Sequence, residues 1–304
     1  MRPRGRLAAL TGAAVVAAAA ACGGGAGSPR VAGGEAAAGS GGDAVRVTSG
    51  VVYGMGEVGP ARGRTALLLD LYTPTGGSPS PRPVVVLIHG GGFAKQSRKD
   101  EGIVRVARGL AAEGVEAAAI DYRLIPQSPV PSPRVAPLGL PVGMAAAVDD
   151  TLTAIAYLRT HAKNLGIDPD RVGVAGSSAG AVTSDHVAYT LDDHGIAPPH
   201  LRFAGSLWGG IFAAAPTRGA DPATQVGKGE PALFAVHGDA DPVVPVAMDD
   251  ALVARARAEG VEVEYHRIEG GGHGYTGARF FTEAVAGSRT PFDRFLAFAR
   301  RELR

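Results

Sequence analysis

Cysteine is nearly absent from this chain of 304 residues: Cys22 is the single one. No intramolecular disulfide can form, so the fold must hold by its core. An excess of charge of either sign is also missing. Lys and Arg total 30 against 29 Asp and Glu, a formal charge of +1, which gives no electrostatic case for a nucleic-acid partner. The arginines are scattered, often in helical runs that also carry Glu or Asp, and are read as solvated helix faces. The N-terminal apolar run, Leu7 to Ala21, is roughly 15 residues against the ~20 needed to span a bilayer. No internal repeat is visible. What is present is ordinary globular material, 45% hydrophobic and 19% charged, ample for a core. The 45 glycines are unevenly spread, and that unevenness is the first guide.

Arg2, Arg4 and Arg6 precede the small-residue apolar run, the pattern of an export signal over 1–21. Ala19-Ala20-Ala21-Cys22 followed by Gly23-Gly24-Gly25 resembles a bacterial lipobox, with Ala19 where such motifs usually carry Leu. It implies lipidation at Cys22 and anchoring on the outer face of the cytoplasmic membrane. Ordinary signal cleavage near an Ala-x-Ala site, with secretion, is the alternative. Residues 22–43, rich in Gly, Ala and Ser, read as the lipidated cysteine and a flexible tether. A single folded domain is expected over 44–304.

Within it, apolar runs and helical periodicity alternate. Arg46–Tyr53 and Ala66–Tyr72 read as antiparallel strands. Pro83–Ile88 is a continuous apolar run, the mark of a strand buried on both faces. Further strands are expected at Val115–Asp121, Arg171–Ala175, Arg202–Leu207, Pro231–Val236 and Val261–Arg267. Helices are expected at Ile103–Gly114, Met144–Leu165, Ala179–Leu191, Val246–Glu259 and Phe280–Arg304, and the Pro-rich Ile125–Pro141 reads as loop. The implied class is α/β: a mostly parallel central sheet with helices on both faces and an antiparallel N-terminal edge.

Gly176-Ser177-Ser178-Ala179-Gly180 sits between a strand and a helix. In that setting G-x-S-x-G places the serine on a sharp turn, above a helix N-terminus that favours developing negative charge. His89-Gly90-Gly91-Gly92-Phe93 follows another strand, and its glycines expose backbone N–H groups as an oxyanion hole requires. It lacks the pattern of a phosphate-binding loop. His237-Gly238-Asp239-Ala240-Asp241 puts two carboxylates after a strand, either able to orient an imidazolium. Gly271-Gly272-His273-Gly274 hangs a histidine on a glycine loop. The order Ser, Asp, His is that of one hydrolase fold and of neither chymotrypsin nor subtilisin.

Together these motifs resemble the α/β-hydrolase superfamily, in particular its HGGG-bearing, hormone-sensitive-lipase-like esterases and lipases, with small carboxylesterases and acetyl- or feruloyl-type esterases the nearest, over roughly Val45 to Arg304. The resemblance implies Ser178 as nucleophile and His273 as general base. Asp241 would be the third member, since the second acid of H-G-x-x-D-x-x-V-P carries that role, with Asp239 as the rival. It implies N–H donors at Gly91, Gly92 and Ala179 and neither metal nor cofactor. The sequence shows no long helical insertion of the kind that makes a lipase-type lid, so short-chain or small exposed esters, free or polysaccharide-borne, are the expected substrates. Leu69–Pro74 and Asp121–Leu124 are scaffold features of the same family, and His89 would brace the oxyanion loop.

A prolyl-oligopeptidase-type peptidase shares two of the motifs, and a non-catalytic surface binding protein on this scaffold is the alternative of another class. His161, His186, His194, His200 and His266 are read as surface or helix decoration, and Asp149 and Asp150 as structural. Trp208 is read as core, with the acyl pocket as its other reading. Ile125–Pro141 and Gly209–Gly229 are expected to rim the pocket.

Overall fold

A computed structural model describes residues 45–61, 63–76, 80–210, 225–276, 278–285 and 287–304. The expected export signal, Cys22 and the tether lie outside them, as do 211–224 of the expected pocket rim.

Among the described residues nine strands form one sheet: β1 (Val45–Val58), β2 (Gly63–Pro74), β3 (Arg82–Ile88), β4 (Glu116–Ile120), β5 (Pro129–Val130), β6 (Ile167–Ser177), β7 (Phe203–Leu207), β8 (Ala232–Gly238) and β9 (Val263–Ile268), in the order β5-β1-β2-β4-β3-β6-β7-β8-β9. The strands from β4 to β9 pair in parallel, while β1, β2 and β5 supply the antiparallel edge. This is the mostly parallel α/β sheet with an antiparallel N-terminal edge that the alternating pattern predicts. The central strands β4, β7 and β8 are buried throughout, which is why their sequences show no apolar–polar alternation.

Among the described residues the helices are α1 (Glu101–Ala112), α2 (Val142–Thr160), α3 (Ala162–Leu165), α4 (Ala179–Tyr189), α5 (Ala247–Ala258), α6 (Ala278–Thr282) and α7 (Pro291–Glu302). The core lies in two layers. Residues of α2, α4 and α5 close over one face of the sheet, and those of α1 and α7 over the other. In α1 the buried positions Ile103, Val106, Ala107, Leu110 and Ala111 fall on one stripe, and the Asp100 side chain caps its start through Gly102 N at 3.1 Å.

Three expectations need correction. The helix expected from Phe280 to Arg304 is two helices, because Pro291 cannot donate a backbone hydrogen bond within a continuous helix. It instead opens α7 behind a capping box in which Thr290 and Asp293 satisfy each other. The helix expected to run to Leu165 breaks at His161. The Pro-rich segment is more than loop: 3-10 turns at Ile125–Gln127 and Pro133–Leu138 flank β5, which adds to the sheet edge.

The parallel register positions the site. Ile88 pairs with Gly176, Ser177 with Leu207, and Leu207 with Val236. The loops that leave β3, β6, β7 and β8 therefore emerge side by side at one sheet edge, as functional loops do in open α/β sheets.

Candidate active site

Ser178 is the residue between β6 and α4, with φ 54° and ψ −118°. A non-glycine residue in this region is strained by about 1–3 kcal/mol, so its neighbours must hold it there. The Ser178 N–H donates to Leu207 O at 3.0 Å, and Ser178 O accepts from Val182 N at 3.0 Å. A Cβ at Gly176 would collide with the Gly180 backbone, and one at Gly180 with the Ile88 carbonyl. Both glycines of the pentapeptide are thus demanded by close backbone approach.

The side chain of Ser178 faces His273, whose Nε2 stands 3.0 Å from Ser178 Oγ. His273 Nδ1 lies 2.7 Å from Asp241 Oδ2. The other Asp241 oxygen accepts from the backbone N–H groups of Val243 and Val244 at 2.7 and 2.9 Å. The Asp241 side chain is fully buried and that of His273 is 24% exposed, an arrangement of a fixed acid and an accessible base. Asp239 is elsewhere: its Oδ1 accepts from Gly270 N at 2.7 Å, and its Oδ2 is 3.9 Å from Arg267. Of the two candidate acids, Asp241 reaches the imidazole.

The H-G-G-G loop adjoins the serine, since a Cβ at Gly90 would sit 3.3 Å from Ser178 Cβ. Gly91 and Gly92 both have positive φ, 93° and 61°, and any side chain on Gly91 would strike the Lys95 carbonyl. Tyr122 OH donates to Gly90 O at 2.9 Å, and His89 Nδ1 lies 2.9 Å from the same oxygen. The Gly90 carbonyl is thereby held inward. In a planar trans peptide the Gly91 N–H must then point the opposite way. Ala179 is the first residue of α4, so its N–H has no carbonyl one turn back to bond.

The remaining sequence candidates sort by contact. His89 stacks on Tyr122 with ring centroids 4.3 Å apart, and burial lowers its pKa. Asp149 and Asp150 are structural: both hold Arg123, which also donates to Glu57 O and Val130 O. Arg98 ties Asp70 to Asp121, fastening the other two scaffold motifs together. Trp208 packs edge-on against Phe280 at 5.3 Å and adopts φ 45°.

His186 is not surface decoration. It is wholly buried in α4, and burial, aided by His194, pushes its pKa down to about 3. The Pro-rich segment does line a cleft of about 970 Å³, together with Met55 and Arg123. Ser178, Asp241 and His273 are not among its walls, so it is not the pocket at the serine.

Sequence reading missed His237. It lies inside the quoted His237–Asp241 motif, yet only its carboxylates drew attention. Its side chain is completely buried, with Nδ1 2.7 Å from Asp249 Oδ2 and Nε2 3.2 Å from Asp241 Oδ2. Asp249 lies on α5 and carries no local motif that would have marked it.

A family model described as BD-FAE matches residues 69–204. The esterase LipC of Mycobacterium tuberculosis is 27% identical over 246 residues, covering 69% of this chain and 57% of that protein. The carboxylesterase NlhH of the same organism is 34% identical over 117 residues, 38% of this chain and 32% of the relative. The chain thus spans about half or less of the length of these relatives. Among solved structures, the propionate-bound esterase 2 of Thermogutta terrifontis superposes with a TM-score of 0.64 at 21% identity, covering 86% of this chain and 93% of that one. A bacterial heroin esterase gives 0.63 at 22% identity, covering 86% of both.

Proposed function

We propose that this chain, a member of the α/β-hydrolase superfamily, hydrolyses carboxylic esters through an acyl-enzyme on Ser178. The observation that carries the reading is the unbroken series from Ser178 Oγ through His273 to the buried Asp241, at 3.0 and 2.7 Å.

In the first step Ser178 Oγ attacks the ester carbonyl carbon as His273 Nε2 takes its proton. Asp241 keeps Nδ1 protonated and stabilises the imidazolium. The carbonyl oxygen, now anionic, is met by the N–H groups of Gly91, Gly92 and Ala179, each such donor being worth roughly 10²–10³ in kcat. His273 then gives the proton to the alcohol oxygen as the C–O bond breaks. Water, deprotonated by the same imidazole, attacks the acyl-enzyme, and Ser178 recovers its proton as the carboxylic acid leaves.

The names of LipC and NlhH support an ester rather than an amide as substrate. No long helical insertion that would form a lipase-type lid is evident in the sequence, which favours short-chain or small exposed esters, including polysaccharide-borne ones. The lipobox-like Cys22 supports a lipid-anchored enzyme outside the cytoplasmic membrane.

Turnover of p-nitrophenyl esters of graded acyl length, set beside dipeptide amides, tests the reading. The expected result is preference for acetate to butyrate esters, abolished in Ser178→Ala. Full activity in that variant, or amides turned over faster than esters, would overturn it.

A further inference from the structure

Behind the triad the side chains continue as one buried polar series. Asp241 Oδ2, the oxygen that holds His273, is also 3.2 Å from His237 Nε2. That nitrogen is 3.0 Å from Val244 O as well. His237 Nδ1 meets Asp249 Oδ2 at 2.7 Å, and Ser206 Oγ lies 3.3 Å from Asp249 Oδ1 and 3.0 Å from Asp185 Oδ2. His237, Asp249, Ser206 and Asp185 are at 0% exposure, and so is the Asp241 side chain.

Proton positions follow from donors and acceptors. Nε2 of His237 faces only a carbonyl and a carboxylate, so it must carry hydrogen. The proton between Nδ1 and Asp249 Oδ2 rests on nitrogen or on oxygen. Ser206 has one hydroxyl proton for two acids. If it donates to Asp249, Asp185 must be the protonated acid that donates to Ser206. Asp185 Oδ1 has no hydrogen-bond partner among the described residues, a position far less costly for a neutral acid than for a carboxylate. Burial and the nearby Asp249 also raise the Asp185 pKa well above the ordinary carboxyl value. Burial raises the Asp249 carboxyl as well, but hydrogen bonds from His237 and Ser206 reach both of its oxygens and pull it back, so of the two acids Asp249 is the better placed to be the anion, and Asp241 and Asp249 then flank His237. Arg267, in register with His237 on β9, is engaged outward by Asp250 at 3.0 Å and so does not oppose a second cation.

We propose that His237 is a protonated positioning residue whose charge divides the field of Asp241 between two imidazoles and so extends the working range of His273 to lower pH. The inference rests on the serine-hydrolase reading of Ser178, His273 and Asp241. With His237 cationic, Asp241 stabilises the His273 imidazolium less than an unshared carboxylate would. His273 therefore stays a free base at lower pH. His237 touches no reacting atom and acts only through Asp241.

The pH dependence of kcat/KM for p-nitrophenyl acetate, in the wild type, His237→Gln and Asp249→Asn, tests this. Both substitutions remove the cation, the second by taking away the anion that keeps Nδ1 protonated. The acidic limb is expected to move to higher pH by about one unit in each. A long-range ¹⁵N spectrum of the wild type is expected to show both His237 nitrogens protonated at neutral pH. An unmoved limb in folded Asp249→Asn, or a His237 spectrum with one bare nitrogen, would overturn the proposal. That outcome is the informative one because Asn mimics a neutral Asp249. Should His237→Gln fail to fold, Asp249→Asn and the spectrum decide alone. If the wild type hydrolyses no ester and takes no fluorophosphonate label, the serine-hydrolase reading itself fails, and the spectrum still reports the charge of His237.

Discussion

Asp241 Oδ2 lies 2.7 Å from His273 Nδ1, while Asp239, two residues earlier, points to Gly270 and Arg267. The loop after β8 therefore gives its two acids different tasks. Asp241 is buried and braced by the Val243 and Val244 N–H groups, whereas Asp239 ties the β8 loop to the one that carries His273.

From this difference, Asp241→Asn should lower kcat by roughly 10³–10⁴, because an amide at that position favours the wrong His273 tautomer. Asp239→Asn should keep kcat within about tenfold of wild type, its backbone bond being one an amide oxygen can also accept. Steady-state kinetics of the pair on one ester checks this, and the reverse ranking would reassign the acid.

At the nucleophile turn, Gly180→Ala should fail to fold or lose several kcal/mol, because its Cβ would meet the Ile88 carbonyl rather than a movable side chain. Gly92→Ala meets nothing within 4 Å, and its cost is the strain of φ 61° alone, about 1–2 kcal/mol. Thermal unfolding of the two variants separates collision from strain.

The Tyr122 hydroxyl donates to Gly90 O at 2.9 Å and to His89 O at 3.2 Å, fixing the peptide that aims the Gly91 N–H. Tyr122→Phe should lower kcat about tenfold with little change in KM, the signature of a transition-state contact loosened rather than lost. An unchanged kcat would mean that the loop holds its shape without the hydroxyl.

Glu230 tests linkage away from the site. Burial, then Asp192 and Asp193, push its pKa from 4.5 up to about 7. The folded state thus holds the proton more tightly than the unfolded state, and stability is lost as pH rises from about 4.5 through about 7. Glu230→Gln should gain on the wild type between pH 5 and pH 8 by roughly 1–2 kcal/mol, a few degrees in Tm, once solvent screening is discounted. An equal difference at both pH values would contradict this.

Much of this site was legible in the residues because its parts are backbone-driven. Gly176, Gly180 and Gly91 sit where no Cβ fits, and glycine at such places is visible in a sequence. The sheet was legible because β4, β7 and β8 are buried on both faces. What stayed hidden depends on register and on packing between distant elements. Asp249 and Asp185 lie on different helices and meet only through Ser206 on β7. His186 reads as a helix-face residue in the sequence, but α4, packed against α2 and the strands β3, β6 and β7, has no exposed face for its polar side chains to occupy. The break before Pro291 was readable in principle, since Thr290, Pro291 and Asp293 together spell a helix start.

The central claim is that Ser178 is a nucleophile activated by His273. Mass analysis after exposure to a fluorophosphonate probe tests it most directly. One adduct per chain is expected, on the peptide containing Ser178, absent in Ser178→Ala and formed far more slowly in His273→Ala. No adduct, or an adduct on another residue that persists in Ser178→Ala, would contradict it.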